Sequence, residues 1–315
     1  MTELPVETLM PRAWAVCGPT IPSGVSVLED DAFHNCSGLT SITIPNSVTN
    51  VEKTAFDNCS NLTEVVDGVC YVANVAINFD NSVTSVEIRE GTTIIAGDAF
   101  SGCSKLINVT IPDSVTVIGD NAFFRCTGLT SVSLGNGIAS IGNRAFFQCK
   151  GLTGINVPDS VTSIGYGAFS QCTGLTSINI PDSVTSIGED AFGGCSGLAY
   201  NEYDNGLYLG STTNKYLVLV KAKNTDVTSF NTHENTRFIC DRAFSRCSGL
   251  TSINIPDSVT SIGAYAFRDC KVLTSIAYNG TKAQWQVIEK VFNWNSSTGS
   301  YTVTCTDGTL TKAES

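Results

Sequence analysis

An alanine-phenylalanine pair returns through this chain at a fixed interval, and that interval limits the folds open to it more than any other feature. The phenylalanines are Phe33, Phe56, Phe100, Phe123, Phe146, Phe169, Phe192, Phe244 and Phe267. Every step from Phe100 to Phe192 is 23 residues, as are the steps from Phe33 to Phe56 and from Phe244 to Phe267. Two steps are longer, 44 and 52 residues, and the phase recovers after each, because residues 84–100 and 228–244 align without gaps to residues 176–192. Nine coils are therefore recognisable, with insertions at about residues 63–83 and 199–227. A unit this short cannot close a core on itself, so its apolar residues must be buried by stacking on the units before and after it.

One unit shows how a coil is built. Leu175, Ile178 and Ile180 keep an L-x-x-L-x-L spacing, and alternation along an extended chain turns Ile178 and Ile180 inward, Ser177 and Asn179 outward. Pro181 and Asp182 make a turn, since proline presets φ and aspartate bonds nearby backbone. Residues 184–187 are predicted to be extended, and residues 189–195 to form one tight helical or 3-10 turn with Ala191, Phe192 and Cys195 inward. The fold class is thus an α/β repeat solenoid, a leucine-rich-repeat stack of short parallel strands joined by short helical or 3-10 turns. The insertions read as β-hairpins lying along the edge of the stack or protruding from it, GLYLG and YLVLV about a polar STTNK turn in the second case. Residues 283–294 read as an amphipathic helix with Trp285, Ile288 and Phe292 on its apolar face, followed by a strand at residues 301–305. The expected organisation is an N-terminal cap at 1–20, the repeat array at 21–278 and a helix-strand C-terminal cap at 279–315.

Charge narrows the function classes. With 18 basic residues scattered among 29 acidic ones and a net charge of −11, the chain is a poor match for phosphate backbones or anionic membranes, so no nucleic acid partner is expected. No apolar run approaches the roughly 18–20 residues that span a bilayer, so no membrane insertion is expected. The start MTELPVETLMPRAW lacks a basic segment followed by an apolar one, so no secretory signal is expected in this chain; the protein is then intracellular or has lost a leader.

Nine of thirteen cysteines, Cys36, Cys59, Cys103, Cys126, Cys149, Cys172, Cys195, Cys247 and Cys270, share one inward repeat position. Zinc sites use C-x₂₋₄-C pairs, which are missing, so these read as reduced, solvent-shielded thiols, although Cα atoms stacked about 5 Å apart would also permit bridges. Cys17, Cys70, Cys240 and Cys305 lie outside that ladder. Asp113, Asp159, Asp182 and Asp257 recur after proline and read as turn residues, with a calcium-binding edge as the alternative. His34 and His233 have no nucleophile motif nearby. No catalytic residue, metal ligand or cofactor is assigned.

Binding is the better reading of the outward positions. Ser41, Thr43, Asn108, Thr110, Ser131, Ser133, Asn156, Ser177, Asn179, Ser252 and Asn254 form a neutral face of hydroxyls and amides, as suits an exposed sheet or a partner. Phe124 and Phe147 follow the buried Phe123 and Phe146 and are predicted to be exposed and adjacent. With Tyr166 on the next coil they would form an aromatic patch of the kind enriched in interfaces. The candidate binding residues are Ser131, Ser133, Asn156, Ser177, Asn179, Phe124, Phe147 and Tyr166.

The unit LTSINIPDSVTSIGEDAFGGC, Leu175 to Cys195, resembles the BspA-type leucine-rich repeat, a class found in many bacterial surface proteins and some protists. The resemblance covers about residues 21–278, carried by IP-x-SV-x-x-IG together with AF-x-x-C, and the second insertion and the tail are similar to inserts and C-terminal caps of this group in gut bacteria. It implies a non-enzymatic, adhesin-like binding module, secreted or on the cell surface, for a protein or glycan partner such as host extracellular matrix. An intracellular interaction scaffold is the first alternative, and an acidic metal-binding or hydrolytic protein the second. Arg89, Gly135 and His233 depart from the pattern at the proline position, and Ala96 and Cys240 at the glycine position, so their coils should stack less regularly.

Overall fold

The computed structural model describes residues 20–80 and 82–315. The expected N-terminal cap lies outside the described residues except for Thr20, and so does Cys17. The chain divides into two compact units: the first runs to Leu175 and takes in Ala191–Gly197, and the second holds Thr176–Asp190 and Leu198–Ser315.

In the first unit each regular coil contributes two short strands. Ser85–Glu87, Asn108–Thr110 and Ser131–Ser133 pair in parallel and in register, Ser131 beside Asn108 and Ser133 beside Thr110. A second sheet joins Ile94–Ile95, Val117–Ile118, Ser140–Ile141 and Ser163–Ile164, also parallel. Between the strands, proline opens a tight turn that closes on a valine N–H, Val115 onto Pro112 O at 3.2 Å and Val161 onto Pro158 O at 3.0 Å. Phe100, Phe123, Phe146 and Phe169 are fully buried, and their rings, with Phe192, form one column with centroids 4.9, 5.1, 5.4 and 6.0 Å apart and nearly parallel planes. Burying one such ring contributes about 1.5–3 kcal/mol, and no single coil can supply it alone.

The arc from the second strand to the ladder cysteine is not helical, which corrects the α/β expectation. Asp98, Phe100 and Gly102 donate their N–H groups to Asp120 O, Ala122 O and Phe124 O of the next coil at 2.8, 2.8 and 2.7 Å. The alternating residues Ala99, Ser101 and Cys103 donate three residues back, to Ala96 O, Asp98 O and Phe100 O. Positive φ angles at Asp98 (55°) and Gly102 (77°), and at Asn121, Arg125, Arg144 and Gln148 in the following coils, turn the peptide planes outward to do this. A helix would keep those N–H groups inside one coil; bonding them across the stack satisfies them and fastens the coils together. The result is a β-solenoid with almost no helix.

Glycine in the IG pair follows from the same closeness. A Cβ on Gly142 would lie 2.6 Å from Gly119 C and 2.7 Å from Asp120 N, closer than carbon can sit. Ala96 and Cys240 are tolerated there because each follows an insertion, where the neighbour is a hairpin strand: Ala96 N–H donates to Ala76 O and Cys240 N–H to Leu219 O, both at 2.9 Å.

The insertions are built into the sheets rather than protruding. Thr63–Val66, Val69–Val72 and Val75–Phe79 form an antiparallel meander whose last strand pairs in parallel with Ile94–Ile95, Val75 beside Ile94, and Val69, Tyr71, Val72, Val75 and Ala76 are buried. In the second unit, Asn201–Tyr203, Gly206–Leu209 and Val218–Ala222 repeat the design, the last strand pairing with Phe238–Ile239. Both insertions bring a buried tyrosine to the proline position of the following coil: Tyr71 OH accepts the N–H of Arg89 at 3.0 Å, and Tyr208 OH that of His233 at 3.4 Å. Proline has no N–H to donate, so the two departures from proline and the two tyrosines form matched pairs.

The rest of the second unit stacks Ser229–Asn231, Ser252–Ile255, Ser275–Tyr278 and Thr302–Cys305 in parallel and ends on antiparallel Gly308–Thr311. The helix is shorter than expected, only Lys282–Val287, with Thr281 and Gln284 closing a capping box and Trp285 fully buried. The chain turns extended at Ile288 so that Glu289–Lys290 can pair with Ser261–Ile262. Pairing with the stack therefore wins over helical periodicity. Phe292 is left 74% exposed, and Trp294 packs edge-on against Phe267 with centroids 5.8 Å apart.

Candidate binding surface

In the first unit the outward strand positions make one continuous face. Ser131 and Ser133 are exposed on either side of buried Val132, Asn108 and Thr110 flank buried Val109 in the adjacent strand, and Asn156 is exposed next to buried Ile155. Thr130 and Thr116 at its margins donate their hydroxyls to Ile107 O and Thr93 O, both at 3.1 Å, so these side chains are tied to the stack. In the second unit Ser177 is exposed and Asn179 half-buried, and Ser252 and Asn254 are half-buried too.

The aromatic patch differs from its expectation. Phe124 and Phe147 are half-buried rather than exposed, because they stack on each other with centroids 5.2 Å apart and planes 8° from parallel. Arg125 covers Phe124 at 5.0 Å and holds Gln148 Oε1 at 3.1 Å. Tyr166 is 39% exposed but packs under Arg144, 5.0 Å from its ring centroid, and makes no ring contact with the phenylalanine pair among the described residues. Its N–H belongs to another ladder, in which Asp120 accepts from Asn143 N at 2.6 Å and Asn143 Oδ1 from Tyr166 N at 2.8 Å.

Sequence reasoning missed an aromatic group in the second unit. Tyr203, on the edge strand of the second insertion, meets Tyr208, Tyr216 and His233 edge-on with centroids 6.4, 5.7 and 4.7 Å away and planes 74°, 60° and 79° apart, and Tyr216 stacks on His233 at 4.0 Å. His233 Nδ1 accepts the N–H of Asn235 at 3.1 Å, and burial holds its pKa below the usual histidine range. The available signal was His233 standing where regular coils have proline, with Tyr203, Tyr208 and Tyr216 among the four tyrosines of the insertion before it.

A profile of the BspA type leucine rich repeat region matches residues 17–67, 73–199 and 222–309, in 6 copies. The chain belongs to this family. Leucine-rich repeats of this kind are generally non-enzymatic modules for protein interaction. Among solved structures, the BspA-type chain is similar to the leucine rich repeat protein TpLRR of T. pallidum, at 27% identity over 63% of this chain and 82% of that one, TM-score 0.42. It is also similar to a leucine rich cell surface protein of Faecalibacterium prausnitzii A2-165, at 28% identity over 86% and 81% of the two chains, TM-score 0.34. The pneumococcal vaccine antigen PcpA is 20% identical over 68% and 69%, TM-score 0.39. No curated protein matches the chain.

The BspA-type cysteine ladder has a structural task that its spacing did not reveal. The thiols of Cys126, Cys149, Cys172 and Cys195 donate to Phe100 O, Phe123 O, Phe146 O and Phe169 O of the preceding coil at 3.0 to 3.1 Å. Burial pushes Cys149 and Cys270 up to about 12 and Cys195 and Cys247 up to about 11, so all four remain protonated at neutral pH. Every described cysteine is free; of the ladder only Cys36 is half-buried rather than buried, which corrects the expectation of nine shielded thiols. Asp113 accepts Asn136 N–H at 2.7 Å and Asp182 the Thr213 hydroxyl at 3.3 Å, both local structural bonds. Among the described residues no helix is long and apolar enough to cross a membrane.

Proposed function

We propose that this chain is an adhesin-like module, secreted or displayed at the cell surface, that recognises a protein partner through the outward strand face of its first unit. The observation that carries this reading is the in-register row of exposed Ser131, Ser133, Asn108 and Thr110 about buried Val132 and Val109, with Asn156 exposed beside buried Ile155 in the strand of the next coil. Stacking constrains the inward positions of all coils alike, so recognition has to use what differs outside: this face and, on the arc of the same coils, the Phe124 and Phe147 pair. Tyr166 is proposed as a further contact in this unit, and Ser177 and Asn179 as outward contacts of the second unit by itself. A neutral, small-residue face suits the flat approach of a protein surface, in which a few desolvated anchors supply most of the affinity. Host extracellular matrix proteins are the first partners to test.

The purified chain, immobilised, is expected to capture a matrix protein. Asn156→Arg, or Phe124→Ala combined with Phe147→Ala, should weaken that capture about thirtyfold, as loss of an anchor worth about 2 kcal/mol does, with the thermal midpoint nearly unchanged for Asn156→Arg. Capture unchanged in both variants would remove the first unit's face from consideration.

A further inference from the structure

We propose that the second unit carries a separate site for a neutral pyranose ring, with Tyr203 as its stacking platform and Asp204 and Asn231 as its hydrogen-bonding partners. Tyr203 is 40% exposed, yet its ring is fixed by Tyr208, Tyr216 and His233. A rigid exposed aromatic has already lost the freedom that a loose side chain would give up on binding. Asp204, next in the chain, uses Oδ2 to accept the N–H of Asn231 at 2.9 Å, and its Oδ1 has no partner among the described residues. The Asn231 side chain is exposed on the outward side of the strand Ser229–Asn231. An aromatic face beside a carboxylate and a carboxamide matches a sugar ring: its C–H face lies on the π system, and neighbouring hydroxyls bond to planar two-atom acceptors and donors.

The same geometry argues against other ligands. The three rings stand 4.0 to 5.7 Å apart, which leaves no room between them for an ammonium group to be caged, so a ligand must lie over the cluster. A peptide adding itself as a strand would need the free edge of Ser229–Asn231, but Asp204 already occupies the Asn231 N–H there. Glu202 is paired with Lys223 at 2.7 Å, Asp204 and exposed Glu234 add two carboxylates against the one cation of exposed Lys215, and the neutral imidazole of His233 adds no positive charge. Acidic sugars and phosphates are therefore disfavoured against neutral ones.

The test is titration of the full chain with the methyl pyranosides of glucose, galactose, mannose and N-acetylglucosamine, followed by tyrosine fluorescence and saturation-transfer NMR. At least one is expected to bind saturably, and Tyr203→Ala and Asn231→Ala should each weaken it about tenfold; Asn231→Ala, altered only at the surface, should melt as the parent does, so its loss of binding cannot come from unfolding. Asn156→Arg should leave sugar binding intact, so failure here and failure of the first unit's protein face are separately visible. Binding of none of the four sugars, unchanged binding in both variants, or tighter binding of methyl glucuronide than of methyl glucoside would overturn the proposal.

Discussion

Phe169→Ala is expected to lower the unfolding free energy by about 3–5 kcal/mol. The ring is fully buried and lies between Phe146 and Phe192 at 5.4 and 6.0 Å, so truncation empties a space whose walls belong to the coils on both sides. Those walls cannot collapse inward, because the backbone of each coil is held at fixed spacing by bonds such as Phe146 N–H to Ala168 O and Phe169 N–H to Ala191 O, both 2.8 Å. The lost transfer energy and the cavity cost therefore add with little relaxation. Phe124→Ala removes the same side chain from a half-buried position where solvent can fill the gap, and should cost about 1 kcal/mol. Urea unfolding of both variants measures the difference, and equal losses would mean that the inward and outward members of the paired phenylalanines are wrongly placed.

Gly142→Ala is expected to cost about 3 kcal/mol although it adds a single methyl group. That methyl would stand 2.6 Å from Gly119 C and 2.7 Å from Asp120 N and Oδ1, and the first two are backbone atoms that cannot rotate aside. Relief requires two coils to separate locally, loosening the bond from Gly142 N–H to Ile118 O, now 2.8 Å, and the bonds of Asp120 to Asn143. Gly249→Ala is the control: its methyl would meet nothing nearer than Val227 O at 3.5 Å, an ordinary contact, and the change should shift stability by less than about 1 kcal/mol. Comparable losses at the two glycines would show that coil-to-coil approach is not what selects glycine in the IG pair.

How far this molecule can be read from its sequence depends on where its hydrogen bonds run. Alternation of Ile178 and Ile180 with Ser177 and Asn179 gave the strands and their outward face, since that pattern is local. The arc around Ala191, Phe192 and Cys195 reads as one tight helical or 3-10 turn because helices and linked turns share that apolar spacing. Only the bonds to the next coil, such as Phe100 N–H to Ala122 O, distinguish them, and no single unit displays those bonds. The hairpins were legible from GLYLG and YLVLV, but their place inside the sheet rests on parallel pairing of Val75 with Ile94 and Val218 with Phe238, which is non-local. The same holds at the C-terminal end, where Phe292 had the right helical spacing and strand pairing by Glu289 carried it to the surface. Ser131, Ser133 and Asn156 could be named as outward in advance. The group of Tyr203, Tyr216 and His233 could not, because three distant segments assemble it.

Deletion of the second insertion is a poor way to locate the partner, since Tyr208, Leu209, Leu217, Val218 and Leu219 are core residues and the unit would lose its packing with them. Amide hydrogen exchange of the intact chain, alone and saturated with a captured partner protein, tests the central claim directly. Slowed exchange is expected in the strands Asn108–Thr110, Ser131–Ser133 and Gly154–Asn156 and in the arc carrying Phe124 and Phe147, with the insertion strands Gly206–Leu209 and Val218–Ala222 unchanged. Slowing confined to the insertion strands or to the C-terminal strands Thr302–Cys305 and Gly308–Thr311, with the first unit's face exchanging as before, would contradict the account.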